Sequence, residues 1–151
     1  MPTIQSARSR QSAALYTTLQ DYPLQIEFEE DPRSPICSLA PLEFELAVFN
    51  LLKNAKEALK AQKADEPKVF IKISSGETHC FVDISDNGAV ISDSDFERMG
   101  SVFKSGKASG LGIGLSIVRS IVQNHNGSLV LERGKNGGLV CRIRLPILNA
   151  Q

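Results

Sequence analysis

Two stretches with helical spacing, about residues 41–62 and 111–125, are each followed by a pair of short, largely apolar segments. A chain of 151 residues that alternates a helix with paired strands has room for one core, and each helix must bury its apolar side on the sheet. The first stretch opens at Pro41, which suits a first helical turn, with Glu43 and Glu45 near its positive end. Leu42, Leu46, Phe49 and Leu52 fall on or near one side, and Val48, Leu51, Ala55 and Leu59 widen the buried surface. The second runs from Leu111 to His125 and stops at Asn126 and Gly127, residues suited to a C-terminal cap.

Residues 69–73 and 80–84 flank a turn at Ser74–Glu77 and read as a hairpin. Residues 128–132 and 139–145 form a second hairpin through the glycine-rich turn 134–138. The alternation Leu24–Glu29 predicts a strand, Ile36–Leu39 a further short one, and Asp93–Met99 a short helix. The expected fold class is therefore α+β: two layers, a mostly antiparallel sheet under two main helices. Residues 3–20 are polar and glycine-free, a marginal helix or the end of a longer one, broken at Asp21–Pro23. This divides the chain into a linker or helix end at 1–21 and a domain at 22–149.

Lysine and arginine (17) balance aspartate and glutamate (17), which argues against a general nucleic-acid binder. No apolar run approaches the roughly 20 residues of a membrane span, and no signal-peptide pattern opens the chain. Cys37, Cys80 and Cys141 lie in or beside apolar segments without a C-x-x-C pair, so they read as reduced, packed thiols of a cytoplasmic protein.

Three polar groups interrupt this apolar framework. Asn50, Asn54 and Glu57 stand at i, i+4 and i+7, on one narrow face of the first helix. A half-buried asparagine needs partners for both ends of its amide; a metal ion with phosphates would supply them, as would backbone or water. Asp86 directly follows a strand and precedes Asn87 and Gly88, which is an ordinary turn signal. It is also a carboxylate fixed at a strand end, able to accept from the amino group of adenine while Gly88 lets the backbone pass close to a ring. Glycines at 100, 106, 110, 112 and 114, with Lys104 and Lys107 among them, feed the second helix. That is either a mobile surface loop or an anion site made of free N–H groups and a helix dipole. A dinucleotide fingerprint is excluded, because Ser105–Ser109 cannot be the buried strand it must follow and its third glycine is misplaced.

At these positions the chain resembles the GHKL ATPases, and within them the catalytic ATP-binding domain of bacterial sensor histidine kinases. Phe49–Ala58 is similar to that family's N box, Asp86–Ile91 to its G1 box, Phe103 to its F box and Gly110–Val118 to its G2 box, in the family's order. The resemblance covers about residues 22–146. It implies the Bergerat fold, a mixed sheet covered on one face by helices, with ATP between helix and lid. It also implies that Asn54 ligates Mg2+, that Asp86 recognises adenine with Gly88 beneath the base, and that Gly110, Gly112 and Gly114 wrap the phosphates. Leu111, Ile113, Leu115, Ile91, Phe103, Glu57, Lys104 and Lys107 complete the expected ATP site, with Asn50 and Lys107 acting on the γ-phosphoryl group.

Val90 stands where the G1 box has its second glycine, and the lid, about 91–109, is short. His79 and His125 do not match a phosphoacceptor. The resemblance thus implies transfer to a histidine on a separate dimerisation domain of the same kinase, with a response regulator downstream. Nucleic acid and membrane contact by this domain are not expected, although the parent kinase is free to carry a membrane anchor. Two other functions share these motifs: a nucleotide-gated or degenerate interaction module without kinase activity, and a GHKL hydrolase. In the hydrolytic branch a glutamate four residues before the magnesium asparagine is the general base; here that position is Asn50.

Overall fold

A computed structural model describes residues 22–105 and 111–148, with the backbone alone at 102–105 and 111–113. The described strands are β1 (Gln25–Glu29), β2 (Lys68–Ser75), β3 (His79–Asp86), β4 (Ser128–Arg133) and β5 (Leu139–Pro146). The helices are α1 (Pro41–Ala61), α2 (Asp93–Ser105) and α3 (Leu111–Asn124). One sheet has the order β1-β2-β3-β5-β4; β1 and β2 are parallel and every other pair is antiparallel. The parallel pair needs a crossover, and α1 supplies it.

The period-2 pattern puts Val69, Ile71 and Ile73 of β2, Cys80, Val82 and Ile84 of β3, and Cys141, Ile143 and Leu145 of β5 on one buried face. Register aligns these into rows, such as Ile71 beside Ile84 beside Cys141. Leu52 and Leu59 of α1 and Leu115, Val118 and Val122 of α3 close the core from the helical layer. Truncating one such leucine to alanine typically costs about 2–5 kcal/mol, because the remaining cavity collapses only in part. The opposite face is open, and its charges are paired, Lys68 with Glu27 and Arg142 with Asp83.

Helix ends are set by local chemistry. Pro41 occupies the first turn, and Ala40, which has no capping side chain, gives its N–H to His125 Nε2 at 2.9 Å. His125 Nδ1 lies 2.7 Å from the Ile121 carbonyl, so the ring is the neutral tautomer that donates from Nδ1 and accepts at Nε2. At the end of α3 the left-handed residue is Asn126 (φ 59°), and Gly127 N–H reaches back to the Val122 carbonyl at 2.9 Å. Gly127 is needed for space instead: a Cβ there would stand 2.2 Å from the Arg144 carbonyl oxygen.

Three expectations require correction. Leu42 and Leu46, expected on the buried side of α1, are exposed. Ile36–Leu39 alternates exposed and buried as a strand would, yet it forms only a single bridge at Ile36, whose carbonyl accepts from Leu148 N–H. The period is right, and among the described residues no partner strand runs beside it. The helix expected over 93–99 extends to Ser105, through Gly100, whose position is open enough that a Cβ would meet nothing. Residues 1–21 and 149–151 lie outside the described residues, including the expected helix end at 3–20.

Candidate nucleotide site

Between α1 and β3, beside α2 and the β4–β5 turn, lies a cavity of about 560 Å3. Its apolar walls are Leu51 and Ala55 from α1, Ile84 from β3, Leu115 from α3 and Cys141 from β5. Burial pushes the Cys141 thiol up to about 12, so at neutral pH it is an uncharged wall.

The last residue of β3, Asp86, brings a carboxylate into this cavity. Oδ1 accepts from Gly88 N–H at 2.8 Å and Oδ2 from Leu139 N–H at 3.3 Å. Burial nevertheless holds its pKa above the ordinary carboxylate value, because two amide bonds do not replace full hydration. A half-buried acceptor with unused lone pairs is suited to a neutral donor of defined geometry, such as an exocyclic amine.

Close approach explains the glycines nearby. A Cβ on Gly88 would meet Asp86 Oδ1 at 2.6 Å and Gln62 Oε1 at 2.8 Å. Gly138, in the left-handed region at φ 75°, lies so close to Asp86 that a Cβ would be 2.2 Å from its carbonyl oxygen. The β4–β5 turn therefore forms part of the site, a role that reading the glycine pair as an ordinary hairpin turn does not reveal.

Asn50, Asn54 and Glu57 project from α1 as the spacing predicts. Asn54 and Glu57 line the cavity; Asn50 stands one turn before Asn54. Asn50 Nδ2 donates to the Leu46 carbonyl at 2.8 Å, which leaves its Oδ1 free of that bond. Asn54 Nδ2 is buried and has no hydrogen-bond partner among the described residues. A buried amide in this state is unusual and calls for a missing polar group. Gly114 lies within α3, and a Cβ there would be 3.2 Å from Asn54 Nδ2 and 3.5 Å from Asn50 Oδ1.

Gly112 and Gly114 thus belong to the start of a helix rather than to the loop before it. Ile91 lines the cavity, and its carbonyl accepts from Arg133 Nη1 at 3.2 Å. Phe103 and Lys104 fall in α2, and Leu111 and Ile113 in α3, where the backbone alone is described. Lys107 and Gly110 lie outside the described residues. Val90 is 80% exposed, and its φ is not positive, so the loop does not demand glycine there. Sequence reading missed Gln62 and, from α2, Asp95, Arg98 and Met99, all of which line the cavity. Asp95 and Arg98 pair at 3.0 Å, a spacing of three residues that a helical reading of this segment could have found.

Residues 40–149 match the Histidine kinase-, DNA gyrase B-, and HSP90-like ATPase family. The chain belongs to this family. Domains of the family bind ATP. The ATPase domain is 30% identical over 123 residues to Sensor protein FixL of Bradyrhizobium diazoefficiens, covering 82% of this chain and 24% of FixL. It is 28% identical over 142 residues to Sporulation kinase B of Bacillus subtilis, covering 93% of this chain and 32% of that kinase. The chain therefore spans a quarter to a third of these relatives.

Among solved structures, the catalytic domain of histidine kinase ThkA in a nucleotide-free form superposes with a TM-score of 0.78 at 22% identity, over 96% of this chain and 94% of that one. The ATP-binding domain of PrrB from Mycobacterium tuberculosis gives 0.73 at 26% identity, over 98% and 96%. The expected GHKL α/β sandwich is the fold found. Among the described residues no helix is long and apolar enough to cross a membrane.

Proposed function

We propose that residues 22–149 form the ATP-binding catalytic domain of a sensor histidine kinase, which binds ATP with Mg2+ and passes the γ-phosphoryl group to a histidine on a dimerisation domain. A response regulator would then receive it. The observation that carries this reading is one cavity with a half-buried carboxylate, Asp86, and a buried, unpartnered amide nitrogen, Asn54 Nδ2. Asn54 lies about 12 Å along α1 from Gln62, whose side chain touches the loop after Asp86. That separation suits a nucleotide laid along the helix, base against Asp86 and phosphates toward Asn54, Asn50 and the start of α3.

The residues fit a magnesium ion. The Asn54 carbonyl oxygen is a hard ligand on an unsatisfied amide, with amide O and N interchangeable by a flip. No cluster of three acidic, histidine or cysteine side chains occurs among the described residues, and Mg2+ bound to nucleotide needs few protein ligands. The ion would supply neutralisation of phosphate charge. The protein's part is positioning and exclusion of water: apolar walls hold the base, Asp86 fixes its orientation, and backbone N–H groups at the helix start face the phosphates.

Transfer is favoured over hydrolysis because Asn50 is a neutral amide, able to orient a water but not to take its proton near pH 7. On this reading the acceptor histidine lies on another domain, and His125 is not that acceptor. His125 Nε2 already accepts the Ala40 N–H, which leaves no lone pair to attack a phosphorus. Leu42 (78% exposed) and Leu46 (47%) continue the Asn50–Asn54 stripe toward the start of α1, an apolar surface adjoining the γ-phosphate end.

Calorimetry with ADP or ATP and Mg2+ tests the site. Binding that is lost in Asp86→Ala supports it, and equal heats in both proteins, or none, refute it. Adding the matching histidine-bearing domain with labelled ATP then separates a kinase, which gives acid-labile phosphohistidine, from a module that binds nucleotide without transferring phosphate.

A further inference from the structure

The loop Gly88–Ile91, which borders the cavity, is held by groups from three other parts of the fold. Ala89 N–H donates to Gln62 Oε1 at 2.8 Å. Ala89 C=O accepts from Gly138 N–H at 2.9 Å, and Ile91 C=O from Arg133 at 3.2 Å. Asn87 secures the start of the loop, accepting from Lys68 N–H and donating to the Glu66 carbonyl, both at 2.8 Å. Of these, the Gln62 bond is the one that joins the loop to α1, the helix that carries Asn50 and Asn54.

Gln62 is the residue on which α1 ends; its own N–H still caps the Ala58 carbonyl at 3.0 Å. Its side chain is exposed overall, so burial does not require it there. The bond to Ala89 fixes the amide orientation, since an N–H needs the oxygen rather than the nitrogen. The same oxygen stands 2.8 Å from where a Gly88 Cβ would be, so the Gln62 amide lies beside Gly88 as well as Ala89. Gly88 N–H in turn donates to Asp86. Gln62, the loop backbone and the Asp86 carboxylate are therefore linked in one continuous chain of hydrogen bonds and contact.

We propose that Gln62 is a positioning residue of the nucleotide site: through its Oε1 it ties the Gly88–Ile91 loop to α1 and presets the spacing between the Asp86 end and the Asn54 end before nucleotide arrives. This rests on the nucleotide reading above. It assigns to a side chain the rigidity that a second glycine cannot give, because Val90 leaves the loop backbone ordinary and its order must come from outside. Losing one such bond lowers affinity by the ordering it no longer provides, about fivefold to tenfold for a bond of ordinary strength.

The test pairs amide exchange at Ala89 with ADP–Mg2+ titration of wild type, Gln62→Ala, Gln62→Met and Gln62→Glu. Gln62→Met keeps the bulk and loses the acceptor; Gln62→Glu keeps an acceptor at the same reach. The expected result is faster exchange at Ala89 in the Ala and Met variants, protection restored by Glu, unchanged exchange in β2 and β3, and affinity about fivefold to tenfold weaker for Ala and Met. Affinity within twofold of wild type despite faster Ala89 exchange overturns the proposal, as does weaker binding with Ala89 still protected. If wild type itself binds no adenine nucleotide, the functional reading falls instead, and the Ala89 exchange comparison alone decides whether the clasp exists.

Discussion

Gly114→Ala should strengthen the fold and weaken the site. Position 114 lies inside α3, where replacing glycine by alanine gains up to about 1 kcal/mol of helix stability through reduced backbone freedom. Against this, the new Cβ would stand 3.2 Å from Asn54 Nδ2 and 3.3 Å from its Oδ1, so the Asn54 amide must retreat by a few tenths of an ångström. In the free protein that retreat breaks no described hydrogen bond, because Asn54 Nδ2 has none. The helix term should win, and the melting temperature of the unliganded domain should rise by about 1–4 °C. With Mg2+–nucleotide bound, the displaced amide is the proposed metal ligand. A charge-assisted contact of about 1.5–3 kcal/mol is then compromised, and affinity should fall about tenfold or more. Melting curves with and without ADP–Mg2+ read both effects from one sample. A lower unliganded melting temperature would show that Asn54 cannot yield, and unchanged affinity would show that Asn54 does not meet the ligand.

Three further outcomes are expected. Burial raises the pKa of Asp86, so the fold favours its protonated form: the stability this contributes is present in full below 3.8 and is lost as pH rises through the folded value. Nucleotide affinity should run the opposite way, falling on acidification at a pH above 3.8, and calorimetry from pH 7.5 to 4.5 that shows flat affinity would count against the base assignment. Asn50→Glu, which restores a proton acceptor one turn before Asn54, should raise steady-state ATP hydrolysis by about 10²–10⁴; wild-type turnover already faster than about one per second would favour a hydrolase. Leu42→Asp removes an exposed leucine and places an acid in the first turn of α1, where it is tolerated. It should leave ADP affinity within twofold yet cut transfer to an added histidine-bearing domain at least tenfold, and equal transfer rates would remove this face from the docking surface.

What the sequence made legible follows from how local each signal is. The buried rows of β2, β3 and β5 are a period of two written directly into Val69–Ile73, Cys80–Ile84 and Cys141–Leu145. Asn50 and Asn54 could be placed on one face because helical spacing is rigid over a turn. Ile36–Leu39 failed as a strand for the complementary reason: its alternation is real, but a strand also needs a neighbour, and among the described residues the segment joins no strand of the sheet. The short helix expected over Asp93–Met99 runs on through Gly100 to Ser105, since a glycine costs a helix only about 1 kcal/mol, and Ser92 caps its start through a bond to Asp95 N–H at 3.2 Å.

The part of the site that stayed hidden is the part made by distant closure. Gln62 meets Ala89 across 27 residues, and Leu139 reaches Asp86 across 53. Neither partner has a residue type that announces the contact; a glutamine after a helix and a glycine pair in a hairpin are ordinary in themselves. Their meaning appears only when β3 is seated between β2 and β5, which sets the end of β3 against the β4–β5 turn on one side and the end of α1 on the other. Asp86 is then held by backbone N–H groups rather than by a cation, so it stays a half-buried, under-satisfied acceptor. An arginine in that place would have satisfied the carboxylate permanently and left nothing for a base to bind. The weak satisfaction of Asp86 and the empty valences of Asn54 are the same device at two points of one cavity: polar groups kept short of partners inside the fold, at a cost in stability that a ligand can return.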